Sequence, residues 1–353
     1  MFVFYVVIAI VILLLMIVIH EFGHYLAGKA LGFKITEFSI GFGPIVFSRT
    51  LKNGEKFSLR AFPLGGFCAF YDEDGTIKET KKFKSFVEHA PYKRIVVLFA
   101  GAAFNFLSAF VFCFIFIGVV GFSVPTVNHL SIDPMTQQPY AVQLKEGDRV
   151  IAVNGKELSV LYSWSDAMSM DSSPNASFEL TVLRNIDNEI QSLIVSVKRQ
   201  SIYDQNTKTS HNGIGFNAGS QQIKVGFGQA ALDTVPLTLK FGSMILGSFG
   251  DLVSGKVPLS QLSGPISTVT GIAESASLNA QVLLLMLPLI AANLAIFNLL
   301  PIPALDGSRI VFATIEWIRR KPIKREIETT IHFVGFVVLI GGVLLLELFR
   351  VFS

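Results

Sequence analysis

Long apolar stretches separated by charged loops dominate the pattern of this chain. Four of them are apolar enough to predict membrane-spanning helices, at about residues 2–27, 95–122, 282–305 and 333–346. The fourth is the shortest and carries Gly335, Gly341 and Gly342. The pattern therefore predicts a polytopic α-helical membrane protein with about four transmembrane helices.

The loop between the first two stretches alternates between apolar and polar residues. Residues 33–47 and 57–70 have the period of β-strands, and Asn53-Gly54 between them is a strong hairpin signal. We predict a membrane-associated β-hairpin loop, with four candidate substrate-binding glycines, Gly41, Gly43, Gly65 and Gly66. Two interpretations stay open: a sheet edge that takes up a substrate strand, and a hairpin that only packs against the helices.

Residues 123–224 have the composition of a small water-soluble α/β domain. The pattern predicts strands at 149–153, 177–184 and 193–199, a short helix at 164–170, and loops at 187–189 and 203–212. No catalytic arrangement of side chains is evident in this domain, so we expect the chemistry to lie elsewhere in the chain.

The segment 225–281 connects this domain to the third apolar stretch. Its apolar run, 225–252, is interrupted by Asp233, Pro236 and Lys240, which favours an amphipathic helix on the membrane surface. A fifth span is the alternative, and it would reverse the topology derived below. The predicted organisation thus has four parts, residues 1–122, 123–224, 225–281 and 282–353.

Composition limits the classes of protein to which this chain can belong. With 51% hydrophobic residues and a mean hydropathy of +0.55, the chain is too apolar for an ordinary soluble protein. Two cysteines, Cys68 and Cys113, are too few for a cysteine metal site and argue against a disulfide framework. The first stretch lacks the basic start and cleavage site of a signal peptide, so we treat it as retained. We expect membrane lipid, and no nucleic acid, as a partner.

Basic residues predict the orientation in the membrane. Residues 29–94 contain twelve lysines and arginines and residues 309–325 contain six more, whereas none precedes Lys29. The positive-inside rule then places both loops in the cytoplasm, with both termini and the domain 123–224 outside. The inner ends of the first and third helices, and with them His24 and Asp306, lie at the same membrane face.

An H-E-x-x-H box, His20-Glu21-Phe22-Gly23-His24, ends the first stretch. Positions four apart share one face of a helix, so both imidazoles can bind one metal ion, and Glu21 can take a proton from an attacking water. Such a box also arises by chance, but ionisable residues at the end of a membrane helix indicate a functional site. At about 1.5 Å per residue, His24 lies about 7 Å and His20 about 13 Å inside a boundary at Lys29.

A third ligand follows the third stretch, where Pro301 and Pro303 should break the helix before Asp306-Gly307. Asp306 would complete a His2Asp set with one position open for water, the coordination expected of catalytic zinc. Asn298 is a candidate catalytic residue that could stabilise an oxyanion, and Asn293 a candidate substrate-binding residue. An interhelical hydrogen bond is the alternative role for both asparagines.

These residues together resemble the site-2 proteases, the intramembrane zinc metalloproteases. The match consists of the H-E-x-x-H box, Gly41-Phe42-Gly43-Pro44, Pro63-Leu64-Gly65-Gly66 and the run from Asn298 to Gly307. The resemblance covers nearly the whole chain and is closest to the bacterial branch with one periplasmic PDZ domain. Residues 144–158 look like a strand and turn of that domain, whereas its carboxylate-binding glycine loop is missing around residues 127–142.

The resemblance implies a bacterial inner-membrane endopeptidase in which His20, His24 and Asp306 bind Zn²⁺ and Glu21 activates water. Its expected substrates are single-span membrane proteins or peptides, such as anti-sigma factors or signal-peptide remnants, cut by regulated intramembrane proteolysis. The PDZ-like domain would act as a size filter. An inactive membrane chaperone and a metal transporter are the alternatives, and the intact, single ligand cluster argues against both.

Overall fold

The computed structural model describes residues 2–72, 83–204, 209–258 and 264–352. The chain divides into two compact units. One unit is formed by Met1–Cys113 together with Thr238–Ser353, and the other by Phe114–Leu237. All predicted metal ligands belong to the first unit, which therefore holds the candidate site.

Within the described residues, three helices are long and apolar enough to cross a membrane. They are α1 (Phe2–Ala30), α2 (Pro91–Val120) and α6 (Ala280–Leu299), and they coincide with the first three predicted spans. The fourth predicted span lies inside α8 (Arg325–Phe352). The remaining helices are α3 (Trp164–Ser169), α4 (Phe227–Val253), α5 (Pro265–Leu278) and α7 (Asp306–Arg319), with a 3-10 turn at Phe86–Glu88.

The hairpin predicted after the first helix consists of β1 (Ile35–Thr50) and β2 (Lys56–Phe70), which are antiparallel. Glycines in the left-handed region bend both strands, namely Gly41 (φ +85°), Gly43 (φ +84°) and Gly65 (φ +124°). Because of these bends, residues 37–40 pair with 66–69 on one side and with 56–59 on the other. Among the described strands, none pairs with the outer side of residues 66–70, which form an edge.

Polar contacts fasten this hairpin to the C-terminal end of α1. Glu55 next to the turn accepts a hydrogen bond from the Tyr25 hydroxyl at 3.1 Å and pairs with Lys29 at 3.2 Å. Farther along, Gly66 lies so close to α1 that a Cβ would stand 3.5 Å from both the Glu21 Cγ and an Ile17 methyl group. The second half of β2 therefore runs directly beside the helix that carries the metal box.

Small residues also let α2 approach α1 closely. A Cβ on Gly23, the fourth residue of the box, would lie 2.4 Å from the main-chain oxygen of Ala100. On the facing helix, a Cβ on Gly101 would lie 2.4 Å from His24 Nε2 and 2.8 Å from His20 Cε1. Glycine at both positions is what permits backbone contact at this crossing, as is common between membrane helices.

The second unit is built on a six-stranded antiparallel sheet with the order β10-β3-β4-β6-β7 and β5 paired with β4. The strands are β3 (Phe122–Leu130), β4 (Arg149–Val153), β5 (Lys156–Glu157), β6 (Ser177–Ile186), β7 (Glu189–Lys198) and β10 (Phe216–Ile223). Its buried core includes Phe178, Leu180 and Val150. The predicted strands at 149–153, 177–184 and 193–199 and the short helix at 164–170 all have counterparts here.

One prediction for this unit was wrong. Residues 203–212 were expected to form a loop, but β8 (Gln200–Asp204) and β9 (Thr209–Gly213) pair as a separate two-stranded sheet. Most described residues of this pair are exposed and polar, so the apolar alternation that marks a half-buried strand is absent. Pairing of the two main chains, rather than burial of side chains, forms this sheet.

Candidate metal centre

Three side chains from the two ends of the chain converge in the first unit. His20 Nε2 lies 3.0 Å and His24 Nε2 lies 3.2 Å from Asp306 Oδ2, and the two imidazole nitrogens are 3.2 Å apart. Both histidines are buried and Asp306 is partly buried. The H-E-x-x-H box and the late aspartate therefore meet at one site.

The triangle of donor atoms fits a zinc ion. Nitrogen and oxygen ligands about 2.0–2.1 Å from zinc at tetrahedral corners stand about 3.3 Å from one another. The three separations found, 3.0–3.2 Å, are close to that value. Two imidazoles and one carboxylate are also a usual zinc donor set, and three protein ligands leave one position open.

Each ligand histidine has a partner at its other ring nitrogen. His24 Nδ1 lies 2.8 Å from the main-chain oxygen of Val97 on α2, which can only accept a hydrogen bond. His24 therefore carries its proton on Nδ1 and presents the lone pair of Nε2 to the metal. His20 Nδ1 faces the side chain of Asn105, one turn along α2 from Gly101, at 3.3 Å from Nδ2.

A cavity of about 470 Å³ opens beside the ligands. Glu21 lines it, and the Glu21 carboxylate accepts a hydrogen bond from the main chain of Cys68 on β2. Asn298 near the end of α6 lines the same cavity. The wall opposite the helices is the edge segment of β2, residues 65–70. The metal ligands, the candidate base and the outer edge of β2 thus border one space.

The remaining candidate residues lie in different places. Gly65 and Gly66 line the cavity, whereas Gly41 and Gly43 occupy the bends of β1 and are not among its described lining residues. Asn293 lies on the exposed side of α6. It is five residues from Asn298, about 140° around a helix, so the two asparagines do not share a face. A role for Gly41, Gly43 and Asn293 in substrate binding stays a prediction.

The end of α6 sets the position of Asp306. The helix stops at Leu299, before Pro301 and Pro303, and Asp306 begins α7. Gly307 allows this reversal, because a Cβ there would lie 2.3 Å from the Leu300 main-chain oxygen. Arg94 of α2 forms a buried ion pair with Glu316 of α7, which ties the ligand-bearing helix to the rest of the unit.

Helix α8 supports the same turn from outside. Ala304 adopts a left-handed conformation with φ +76°, unusual for a residue with a Cβ. Its main-chain N–H donates to His332 Nδ1 at 3.1 Å. Gly335, one turn farther along α8, packs against the Pro303 ring so closely that a Cβ would lie 2.1 Å from the Pro303 Cβ. α8 therefore holds Pro303 and Ala304 in place, shortly before Asp306.

The carboxyl group of Asp306 is ionised in this environment. Burial raises the pKa of this carboxyl group, whereas the neighbouring imidazoles of His24 and His20 lower it, and the pKa lies below the usual range for aspartate. An ionised carboxylate is the form that binds a metal ion.

Four residues of this centre were not predicted from the sequence, namely Gly101, Asn105, His332 and Gly335. The pair on α2 did leave a signal, because Gly101 and Asn105 are four positions apart and so share a helix face in an otherwise apolar run. His332 and Gly335 left none, since their importance depends on where α8 packs.

The chain resembles known proteins over nearly its whole length. The family model described as "Peptidase family M50" matches residues 8–342. The chain is 30% identical over 345 residues to the "Putative zinc metalloprotease all3971" of Nostoc sp., covering 94% of this chain and 92% of that protein. It is 28% identical over 397 residues to the "Regulator of sigma-W protease RasP" of Bacillus subtilis, covering 90% of each. A "Zinc metalloprotease RasP" of Geobacillus kaustophilus is also 28% identical, over 400 residues and 91% of each chain.

Proposed function

The chain belongs to peptidase family M50, the family of the site-2 proteases, and from that premise we propose that it performs regulated intramembrane proteolysis of single-span membrane proteins. It is a zinc metalloprotease of the membrane. The observation that carries the proposal is one cavity bordered by His20, His24, Asp306, Glu21 and the outer edge of β2. Each part of that arrangement has a defined task in peptide hydrolysis.

Three side chains would hold the zinc ion, His20 and His24 through Nε2 and Asp306 through Oδ2. When bound, zinc supplies a Lewis acid that lowers the pKa of a water molecule and polarises a carbonyl group. The His24 ring is oriented for this task by Val97, since its Nδ1 proton is already engaged. The fixed ring leaves little reorganisation to be done when substrate arrives.

Glu21 is the proposed general base and acid. Its carboxylate borders the cavity beside the ligands, on the helical position next to His20. It takes the proton of the attacking water and then delivers that proton to the leaving amine. The hydrogen bond from the Cys68 main chain holds the carboxylate toward β2, where the peptide bond would lie.

Asn298 is the proposed oxyanion donor. Its amide lines the cavity from α6, across from the edge of β2, and an amide N–H is a donor suited to a developing negative oxygen. The alternative interhelical hydrogen bond predicts no change in turnover when the residue is truncated. The cavity position favours the catalytic role.

The edge of β2 is the proposed substrate cradle. A transmembrane helix hides its carbonyl groups in intrahelical hydrogen bonds, so a segment must be extended before it can be cut. No described strand pairs with the outer side of residues 66–70, so this edge can take up an extended segment as a further strand beside the ligands. The strand-adding interpretation of the hairpin is therefore preferred over plain packing.

Substrate choice is proposed to depend on the second unit. We assign residues 123–224 as a PDZ-like domain on the periplasmic side of a bacterial inner membrane, with both termini on that side. Similarity to the "Regulator of sigma-W protease" supports an anti-sigma factor as substrate, and signal-peptide remnants have the same single-span architecture. The domain would exclude substrates whose outer part has not been trimmed. Residues 225–281 would lie on the membrane surface.

The experiment reconstitutes the purified protein in lipid vesicles with single-span model substrates and maps the products by mass spectrometry. We expect cleavage inside the apolar segment, loss of cleavage with a chelator, and recovery with zinc. Deletion of residues 127–221 with a short linker should allow cleavage of untrimmed substrates as well. Cuts only outside the apolar segment would overturn the proposal, and unchanged selectivity after deletion would remove the filter.

The rival function, a membrane chaperone without catalysis, makes a different prediction. It expects zinc binding or substrate binding without product. A chaperone has no need for a complete ligand set, and the donor atoms of this set already have the separations of a zinc site.

A further inference from the structure

His20 needs a hydrogen-bond acceptor that the described residues supply only at Asn105. A histidine that binds a metal through Nε2 carries its proton on Nδ1 and donates it to a partner. His24 does so to the Val97 main-chain oxygen. The partner at His20 Nδ1 is the fully buried side chain of Asn105, whose Nδ2 lies at 3.3 Å.

In the orientation found, the Asn105 amide cannot form a hydrogen bond with the His20 ring of a metal-bound site. Nδ2 carries only N–H donors, and His20 Nδ1 would also be an N–H donor, so no hydrogen bond forms between them. At the same time, the Asn105 Oδ1 is buried, and none of the described residues forms a hydrogen bond with it. A buried acceptor without a partner destabilises the folded protein, because it has lost its hydrogen bonds to water. One half-turn of the amide removes both defects, since oxygen and nitrogen exchange places and differ little in shape.

We propose that Asn105 is the positioning residue of His20, with Oδ1 accepting the Nδ1 proton and thereby presenting the Nε2 lone pair to zinc. The proposal rests on the zinc-protease function but concerns metal binding rather than cleavage. Asn105 also lines the cavity beside the ligands. Asn105 thus does for His20 what the α2 main chain does for His24.

The opposite arrangement is the specific rival. With the amide unturned, Nδ2 donates to a bare Nδ1, and the ring proton then sits on Nε2, where it points at Asp306 Oδ2 at 3.0 Å. That tautomer cannot bind zinc through Nε2. The two arrangements differ in what Asn105 supplies, an acceptor in the first case and a donor in the second.

The test measures zinc affinity of the purified full chain by competition with a chelator. Asn105→Asp keeps an acceptor and has no N–H, so we expect affinity within about threefold of the unchanged protein. Asn105→Leu has a similar volume and no acceptor, and we expect a loss of about 10–100-fold, the range for removing the outer partner of a ligand histidine. Ser108→Ala is the matched control, because Ser108 bonds the Asn105 main chain on the same helix without reaching the ligands.

The outcomes separate the possibilities. Unchanged affinity in Asn105→Leu overturns the proposal, and so does an Asp variant as weak as the Leu variant. Thermal unfolding of the zinc-free proteins shows whether a variant is folded, and Asn105→Ala replaces Asn105→Leu if that variant is not. No substrate is needed, so a protein that binds zinc as expected but cuts nothing would contradict the proposed function and leave this inference standing.

Discussion

His20 Nε2 lies 3.0 Å from Asp306 Oδ2, although 286 positions separate the two residues along the chain. The contact joins α1 to the start of α7 and closes the donor triangle with His24. Asp306→Ala should lower zinc affinity more than about 100-fold, since loss of an outer partner alone costs about 10–100-fold. Asp306→Glu should retain part of the metal with a longer, poorly directed side chain. Stoichiometric zinc at unchanged affinity in folded Asp306→Ala would remove this residue from the ligand set.

Substitution of Glu21 should lower the cleavage rate without lowering the zinc content. Glu21→Gln keeps the shape of the side chain and both histidines but loses the group that accepts and returns the proton. We expect zinc content to stay the same and cleavage of a model substrate to fall by about 10²–10⁴-fold. Metal analysis and product quantification on the same preparation check this. Turnover near the original rate would exclude Glu21 as the base.

Gly101 offers a steric test of the site from the opposite helix. Gly101→Ala places a methyl group 2.4 Å from His24 Nε2, closer than any real contact, so the imidazoles must move. We expect at least about a tenfold loss of zinc affinity, comparable with removal of a partner of a ligand histidine. Gly118→Ala is the control on the same helix, since no atom of the described residues would lie within 4 Å of the added Cβ. Equal zinc affinity in both variants would mean that α2 does not confine the histidines.

Gly335 tests whether α8 supports the ligand turn. Gly335→Ala should displace Pro303, whose ring lies 2.1 Å from the new methyl group, and with it the turn that ends at Asp306. Lower zinc affinity and slower cleavage are expected. Gly341→Ala, on the same helix with open space around the Cβ, should leave both unchanged. Equal zinc affinity and equal cleavage rates in the two variants would show that α8 does not support the metal site.

Topology can be measured by cysteine labelling. A cysteine at the exposed position Asn175 should react with a membrane-impermeant reagent in intact cells, and one at Arg320 only after permeabilisation. The unaltered protein is the blank, because Cys68 and Cys113 are buried. The reverse pattern would contradict the orientation drawn from the basic residues.

The sequence predicted those parts of the molecule whose signal is local. The strand at 149–153 coincides with β4 because apolar and polar residues alternate there and Asn154-Gly155 ends it. Pro301 and Pro303 marked the end of α6 because proline cannot continue a helix. His20, His24 and Asp306 were found together because an i, i+4 pair and a charge at a membrane-helix end are rare patterns.

Features that depend on packing were not predictable. The spacing of Gly101 and Asn105 marks one face of α2, but the sequence does not show which way that face turns. Only the rotation of each helix turns Asn105 toward His20 and Asn293 outward. The β8–β9 pair escaped notice because its strands bury little apolar surface. The edge of β2 was not predictable because it arises from the bends at Gly41, Gly43 and Gly65, which fold the two strands into four segments.

The order of the ligands along the chain has a consequence for biosynthesis. The ribosome produces both histidines near the beginning and the aspartate 286 residues after His20, which at about 5–20 residues per second means a delay of about 14–57 s. Until then the nascent chain has two of three ligands and does not bind the metal tightly. A protease with this order of ligands stays inactive while its helices are being inserted into a membrane that contains other newly synthesised proteins.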